Sequence, residues 1–146
     1  MAQCVLFFLA GHDTTSTVIS FTLYLLAIHP DAQEKLREEV DECFKVHGEH
    51  PSLDVVTKLK YLDCVVSESL RMFTDENVES IQPYPYLPFG AGPRNCIGMR
   101  FALQIVKLSI LHTIRNVKVV RTEKTKVSSS VCANSGILCV AVYERL

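Results

Sequence analysis

The chain has 146 residues, of which 48% are hydrophobic and 21% are charged, and its formal net charge at pH 7 is −1. These values are typical of a globular protein and exclude a disordered or collagen-like chain. They give no sign of a basic nucleic-acid-binding surface, and the length allows at most one domain.

The six cysteines are spaced irregularly, and no C-x-x-C pair occurs among them; they are Cys4, Cys43, Cys64, Cys96, Cys132 and Cys139. The first eight residues lack the basic flank and the cleavage site of a signal peptide. Reduced thiols are therefore favoured over a disulfide framework.

The first predicted element is a long apolar helix over Ala2–Ile28, which His29-Pro30 ends because proline does not fit inside a helix. Apolar residues lie on most of its sides, so we expect it to be largely enclosed by the rest of the protein. A membrane span is the alternative, disfavoured because Asp13 near its middle costs about 3 kcal/mol on insertion.

The later predicted elements are mostly helical. In chain order they are an amphipathic helix over 31–44, a short turn after Ser52, a helix over 61–72, an irregular segment over 74–88, a helix of about twenty residues after the glycine-rich stretch 89–98, and paired strands over 117–120 and 137–143. The predicted class is mainly α with a small β part (α+β).

The glycine-rich stretch FGAGPRNCIG at 89–98 fits the pattern F-x-x-G-x-R-x-C-x-G at every fixed position. Cys96 immediately precedes a predicted helix, whose N-terminal amides favour a thiolate. Gly92 and Gly98 would allow tight turns and the close approach of a bound group. An inert buried thiol is the alternative, which the complete pattern disfavours.

A second unusual segment, AGHDTT at 10–15, interrupts the apolar first helix. Gly11 costs about 1 kcal/mol relative to alanine there, and threonine hydroxyls compete for nearby backbone carbonyls. We expect a local groove at this point. As an alternative, Asp13 and Thr14 satisfy each other at a helix kink.

A third pattern, E-x-x-R, is formed by Glu68 and Arg71. The i,i+3 spacing places both side chains on one face of a helix, and such a pair is common and weak by itself.

Together, in this order, the three motifs resemble those of the cytochrome P450 family over roughly residues 2–120. The resemblance implies a haem b cofactor, with Cys96 as the axial ligand of the haem iron. Arg94 would pair with a haem propionate, which suits its planar guanidinium. Phe89 would pack beside the thiolate and keep it dry, while Gly92 and Gly98 would lie close to the porphyrin.

The same resemblance assigns the 10–15 segment to the distal side of the haem. Ala10 and Gly11 are expected to lie against the cofactor, Thr14 to hydrogen-bond bound dioxygen, and Asp13 to help deliver protons. His12 occupies a variable position of the motif and receives no ligand role. Glu68 and Arg71 are assigned to a buried structural network, not to catalysis.

Membership would make the complete protein a monooxygenase of small lipophilic substrates, related to the animal microsomal, drug- and steroid-oxidising branch. Electrons would come from NADPH through NADPH–cytochrome P450 reductase, with cytochrome b5 as a further partner. The implied location is the endoplasmic reticulum membrane, and a cytoplasmic location is the alternative because no signal or anchor is recognisable in this chain.

The chain departs from the family pattern by being short. It reads as a partial P450 domain over 1–146, divided into 1–72, a shortened connector over 73–88, and 89–146. Phe73-Thr74 resembles a junction between two distant points, and the missing residues would leave the Glu68–Arg71 network without a third partner. Rival interpretations are an inactive fragment and a membrane or interaction segment anchored by the first helix.

Overall fold

The structure, a computed structural model, describes residues 2–74, 87–122, 125 and 140–144. Helices dominate the described part of the chain. In order, its elements are α1 (Ala2–Ile28), α2 (Pro30–His47), α3 (Leu53–Thr57), α4 (Lys60–Thr74), a 3-10 turn (Gly92–Arg94), α5 (Met99–Asn116), β1 (Val117–Arg121) and β2 (Val140–Glu144). The predicted mainly helical class with a small β part is confirmed.

The two strands pair antiparallel, with Val117 opposite Glu144 and Arg121 opposite Val140. The predicted pairing is therefore present over Val140–Glu144, and the first three residues of the predicted second strand, 137–139, lie outside the described residues. Most of the predicted connector, residues 75–86, lies outside the described residues, as do Cys132 and Cys139.

One apolar core joins the C-terminal half of α1 to α2, α4, α5 and β1. Its most deeply buried side chains are aliphatic: Leu36, Leu62, Ile110, Leu111, Ile114, Val40, Val56, Val66 and Val119. They recur at helical spacing on α2, α4 and α5, and each fully buried aliphatic side chain contributes about 1.5–3 kcal/mol. The core thus extends along α4 and α5 and reaches β1, and α3 contributes Val56 to it.

Two buried polar residues of α2 hold this end together. The side-chain amide of Gln33 donates to the carbonyl oxygens of Leu26 (3.0 Å) and Val119 (2.7 Å), and its oxygen accepts the N–H of Val119 (3.0 Å). Gln33 therefore binds both backbone groups of Val119 on the edge of β1, while β2 pairs with the other edge.

Arg37, one turn further along α2, extends the same arrangement. Its guanidinium donates to the carbonyl oxygens of Ile114 (2.8 Å) and Val117 (3.1 Å) and to the side-chain oxygen of Gln33 (3.3 Å). The last turn of an α-helix leaves carbonyls without partners inside the helix. Arg37 satisfies one of these at the end of α5 and continues the contact onto β1.

The start of α4 is capped from a distance. The two carboxylate oxygens of Glu39 on α2 accept the backbone N–H groups of Tyr61 (3.0 Å) and Leu62 (2.9 Å). The side chain of Glu39 is therefore only partly exposed, although it lies on the polar side of the amphipathic helix α2. A carboxylate at a helix N-terminus satisfies free amides and suits the helix dipole.

The expectation that α1 is largely enclosed is wrong for its first half. Residues 2–14 are exposed, and the buried residues of α1 lie between Phe21 and Ala27. The apolar sequence of a helix shows that it needs a partner, but not that the chain supplies one. By length and composition α1 is the one helix in the described part that could cross a membrane, a test that core helices of soluble proteins also pass.

Candidate functional site

The cysteine-containing loop is closed by its own backbone. The N–H of Cys96 donates to the carbonyl oxygen of Phe89 (2.8 Å), and the N–H of Asn95 donates to that of Gly92 (3.2 Å). α5 begins at Met99, three residues after Cys96. The loop thus presents Cys96 just before a long helix, as the motif predicts.

Two glycines of the loop have backbone conformations that favour glycine. Gly90 and Gly92 have φ angles of 73° and 70°. A Cβ at Gly90 would also lie 3.8 Å from the backbone of Arg94 and Asn95. The sequence prediction identified Gly92 and missed Gly90, although both belong to the same G-x-G signal.

Gly98 does not need to be glycine for the turn itself, contrary to the prediction. Its φ of −89° is open to other residues, and a Cβ there would lie 4.0 Å from the Cys96 sulfur, an ordinary contact. Only the close approach of another group would require glycine at this position.

The surroundings of Cys96 are open. Its thiol is exposed, and so are Arg94 and two large apolar neighbours, Ile97 (89% exposed) and Phe101 (69%). Phe89 packs against the core, so the expected shielding of the thiol is not provided by the described residues. The chemistry of these groups matches a flat apolar cofactor that carries carboxylates. The exposed thiol could bind a metal, the apolar side chains could contact the ring, and the guanidinium could pair with a carboxylate.

Segment 10–15 forms no break in α1. The helix runs through it without interruption, and Gly11 has open space around it. The Thr14 hydroxyl donates to the carbonyl oxygen of Ala10 (2.7 Å), and that of Thr17 donates to the carbonyl oxygen of Asp13 (2.8 Å). The alternative, in which Asp13 and Thr14 satisfy each other at a kink, is therefore wrong, because the hydroxyls bind the helix's own carbonyls.

A groove does form at Thr14, between helices. It encloses about 50 Å³, and its lining includes Thr14 of α1, Phe89 of the cysteine loop and Leu70 of α4. The groove brings the distal and cysteine motifs together but is not lined by Asp13 or Cys96. Because cofactor sites usually enclose about 300–1,000 Å³, the helices stand too close here to enclose a porphyrin.

Glu68 and Arg71 form a two-pronged ion pair, with distances of 2.6 Å between Nη2 and Oε1 and 2.8 Å between Nε and Oε2. Their side chains are 53% and 49% exposed. The expected burial of this network is thus wrong for this chain. The hydrogen bond from Arg71 lowers the pKa of Glu68 against a smaller opposing effect of burial.

The other three described cysteines are free thiols. Cys4 and Cys64 are exposed and Cys43 is buried. Burial raises the pKa of the Cys43 thiol, and the nearby Glu39 carboxylate raises it further. Within the described ranges no cluster of three or more histidine, cysteine or acidic residues could hold a metal ion, and a haem iron needs only one thiolate from the protein.

A family model described as Cytochrome P450 matches residues 1–74 and 72–142, which together span almost the whole chain. The chain belongs to the cytochrome P450 family. The complete members of this family are haem-dependent monooxygenases, and haem is the cofactor that the family implies.

Individual P450 proteins show the same similarity. Cytochrome P450 3A16 of Mus musculus is 36% identical over 167 residues, covering 79% of this chain and 33% of the mouse protein. Cytochrome P450 3A9 of Rattus norvegicus is 35% identical over 168 residues, covering 80% and 33%. Cytochrome P450 3A19 of Capra hircus aegagrus is 33% identical over 179 residues, covering 87% and 82%. The chain therefore spans about a third of the length of the mouse and rat relatives.

Proposed function

We propose that this chain carries the haem-facing helices and the cysteine loop of a monooxygenase, and that Cys96 is the residue whose thiolate would hold the haem iron. The observation that carries the proposal is the folded loop, in which the Cys96 N–H is bound to Phe89 and the thiol faces open space before α5. When bound, thiolate-ligated haem supplies the cleavage of dioxygen and the insertion of one oxygen atom into a lipophilic substrate.

The residues of the loop have distinct roles in this proposal. Cys96 provides the thiolate, and exposed Arg94 provides a guanidinium for a propionate. Gly92 leaves its side of the loop open, since a Cβ there would meet nothing within 4 Å. Ile97 and Phe101 supply apolar surface that a bound cofactor would cover.

Thr14 and Asp13 are assigned to proton handling on the distal side of a bound haem. Ala10 and Gly11 lie beside them on α1. Because the Thr14 hydroxyl donates to Ala10, its oxygen lone pairs remain able to accept a proton-bearing partner. The exposed carboxylate of Asp13, on the preceding residue, would exchange protons with solvent.

In the complete protein, Thr14→Ala is expected to lower product formed per NADPH and to increase release of hydrogen peroxide. Thr17→Ala, which removes a similar hydroxyl bonded to the helix, is the control, and equal effects of the two would remove Thr14 from the proposed role.

The complete protein is proposed to receive electrons from NADPH through NADPH–cytochrome P450 reductase, assisted by cytochrome b5, at the endoplasmic reticulum membrane. The support is the similarity to the mammalian relatives. Apolar substrates suit a site whose described neighbours are largely apolar.

We also propose that the chain lacks a block of about fifty residues between α4 and the cysteine loop. The mouse alignment extends over 167 residues, whereas 79% of this chain is about 115 residues, so about fifty residues of the alignment have no counterpart here. The two segments matched by the family model meet at residues 72–74, where α4 ends.

A spectrum tests the cysteine assignment. Purified chain mixed with haem, reduced and exposed to carbon monoxide, should show the red-shifted Soret band of thiolate ligation. Cys96→Ala should abolish that band, whereas Cys64→Ala, Cys132→Ala and Cys139→Ala should preserve it. Loss of the band in one of these other variants, with Cys96→Ala unaffected, would overturn the assignment.

Turnover tests the second part of the proposal. A catalytic site must be held within about half an ångström, and the described groove is too small for the cofactor. The chain by itself is therefore expected to form no product with reductase, NADPH and lipophilic substrates, while a chain restored to the length of its relatives does. Equal product from both would show that the motifs suffice.

The exposed apolar run Val5–Leu9, each side chain at least 57% exposed, supports a second candidate function as a membrane-attached segment. Flotation with lipid vesicles tests it. Flotation that is lost when Leu6 and Phe8 are both replaced by glutamine would support this function, and failure to float would exclude it.

A further inference from the structure

One lysine of α5 is buried although it carries a charge. The side chain of Lys107 is 8% exposed, and its ammonium lies 2.6 Å from a carboxylate oxygen of Asp63 in the first turn of α4. The ammonium also donates to the carbonyl oxygen of Thr57, the last residue of α3 (3.3 Å). A buried charge needs such partners, because burial without them is costly. Lys107 therefore joins α5 to both α3 and α4 at one point.

The pair fixes geometry more than it adds stability. Because Asp63 is 61% exposed, water screens the attraction, and pairs of this kind contribute little to the free energy of unfolding. Both contacts of the ammonium nevertheless depend on the register of α5. A shift of α5 by one residue moves a side chain about 1.5 Å along the helix axis and turns it by about 100° about that axis. Such a shift would break both contacts of Lys107.

The residue beside Lys107 lines the groove that receives the cysteine loop. Val106 and Phe89 both belong to the lining of the groove at Thr14, together with Val66 of α4. Phe89 packs against the core, and its carbonyl oxygen accepts the N–H of Cys96 (2.8 Å). The spacing of α4 and α5 thus sets the space that holds Phe89, and Phe89 in turn holds the backbone of Cys96.

The helix itself is a second connection between Lys107 and the cysteine. α5 begins at Met99, three residues after Cys96, and Lys107 follows eight residues after Met99. Eight residues of helix span about 12 Å, and a regular helix of this length moves as a unit. Any movement of α5 at Lys107 is therefore carried to its first turn, where the cysteine loop is attached.

We propose that Lys107 and Asp63 are a positioning pair for Cys96, which fixes α5 against α4 and so holds the cysteine loop where its thiolate would meet the haem iron. This role rests on the proposed function of Cys96 as the residue that would hold the iron. Lys107 and Asp63 act through Phe89 and the start of α5, in the way that groups behind a metal ligand orient it.

Hydrogen exchange of two backbone amides tests the role of the pair without haem. The amide of Cys96 is bonded to Phe89, and the amide of Val119 is bonded to the side chain of Gln33 (3.0 Å), so the two report on the loop and on the core. Amides exchange faster where a structure opens locally. Their exchange rates are measured by NMR spectroscopy in the unaltered chain and in a variant that lacks the pair.

Lys107→Met is the main variant, because it removes the charge and keeps an unbranched side chain that suits a buried position. We expect the Cys96 amide to exchange about tenfold faster or more, the usual size of effect when a group behind a metal ligand is lost, and the Val119 amide to exchange as before. Lys35→Met, which changes an exposed lysine of α2, is the matched control and should leave both amides unaltered.

Two results would overturn the positioning pair. An unchanged Cys96 amide in Lys107→Met would show that the loop does not depend on the pair. Equal acceleration of the Cys96 and Val119 amides would show that the pair stabilises the fold as a whole. If Lys107→Met does not fold, Asp63→Ala at its exposed position replaces it, with the same expected and contrary results.

The carbon monoxide spectrum extends the test to the thiolate. In Lys107→Met mixed with haem, the red-shifted Soret band should fall about tenfold relative to the total bound haem, because a displaced thiolate no longer reaches the iron. An undiminished band would overturn the positioning pair. If the unaltered chain binds no haem, the comparison of the two amides decides by itself.

The positioning pair and the ligand assignment fail in different ways. A red-shifted band that survives Cys96→Ala would reject Cys96 as the ligand, and with it the role of the pair towards haem, whatever the amides show. Loss of the band in Cys96→Ala, with the band and both amides unchanged in Lys107→Met, would reject only the positioning pair.

Discussion

The two ends of α1 lie in contrasting surroundings. Towards its C-terminus, Leu26 and Ala27 are buried against α2, α5 and β1, and the backbone of Leu26 is bound by Gln33. Towards its N-terminus, an equally apolar run is exposed, and the hydroxyls of the AGHDTT segment bind the carbonyls of their own helix. Similar apolar composition thus gives a packed corner at one end and an open surface at the other, depending on what the chain brings against it.

The packed end of α1 belongs to the part of the molecule that stabilises the fold, and the open end belongs to the part proposed to bind the cofactor. The packed corner contains the buried hydrogen bonds of Gln33 and Arg37 and none of the residues assigned to haem. The open side contains Cys96, Arg94 and Asp13, all exposed. Substitutions at the corner should therefore unfold the chain, whereas substitutions on the open side should alter ligand binding at little cost in stability.

The largest effect is expected for Gln33→Ala. It would leave the buried N–H and carbonyl of Val119 and the carbonyl of Leu26 without their partner, and unsatisfied buried groups cost about 1–3 kcal/mol each. We expect the free energy of unfolding in urea to fall by about 3 kcal/mol or more. Gln3→Ala, the same change at an exposed position of α1, should alter it by less than about 0.5 kcal/mol. Similar losses in the free energy of unfolding for Gln33→Ala and Gln3→Ala would show that the packed end of α1 is no more important for stability than the open end.

An intermediate effect is expected for Glu39→Gln. The change removes the negative charge at the start of α4, and such charge–dipole contacts contribute about 0.3–1 kcal/mol. It also replaces one of the two accepting oxygens by an amide nitrogen, which cannot accept a backbone N–H. The free energy of unfolding in urea should fall by about 1 kcal/mol. Because salt screens charges but not hydrogen bonds, a fall of the same size at high salt would assign the effect to the hydrogen bonds. Glu38→Gln on the neighbouring exposed position is the control, and an equal loss there would show that Glu39 does not act as a cap.

The smallest effect is expected for Glu68→Gln, since the ion pair with Arg71 is half-exposed and such pairs contribute a few tenths of a kcal/mol. The lowered pKa of Glu68 means that this contribution is present above the unfolded-state pKa, about 4.3, and is lost as the pH falls through the folded-state pKa. The stability difference between the two chains should thus be measurable at pH 7, begin to fall near the unfolded-state pKa and disappear once the pH is below the lowered folded-state pKa of Glu68. A loss of several kcal/mol at pH 7 would show that the pair is buried in solution.

The sequence was sufficient for the regular elements. Apolar residues at helical spacing predicted α2, α4 and α5, Pro30 marked the end of α1, and the β-branched run at Val117 predicted the first strand. It was also sufficient for the family, because the cysteine loop is a local motif whose glycines and helix start act within a few residues of Cys96. Local patterns of this kind depend on neighbouring residues and are readable without the fold.

Contacts between residues distant in the chain were decided by the tertiary structure. Nothing in the spacing of α2 shows that Gln33 binds Val119, 86 positions away, or that Glu39 caps a helix beginning more than twenty residues later. In the same way, a helix that is apolar on all sides and an E-x-x-R pair both suggested burial, yet α1 is exposed over residues 2–14 and Glu68 is half-exposed. A sequence pattern shows that a surface is apolar. Whether that surface is buried depends on which other parts of the chain pack against it, and this is decided by the tertiary structure.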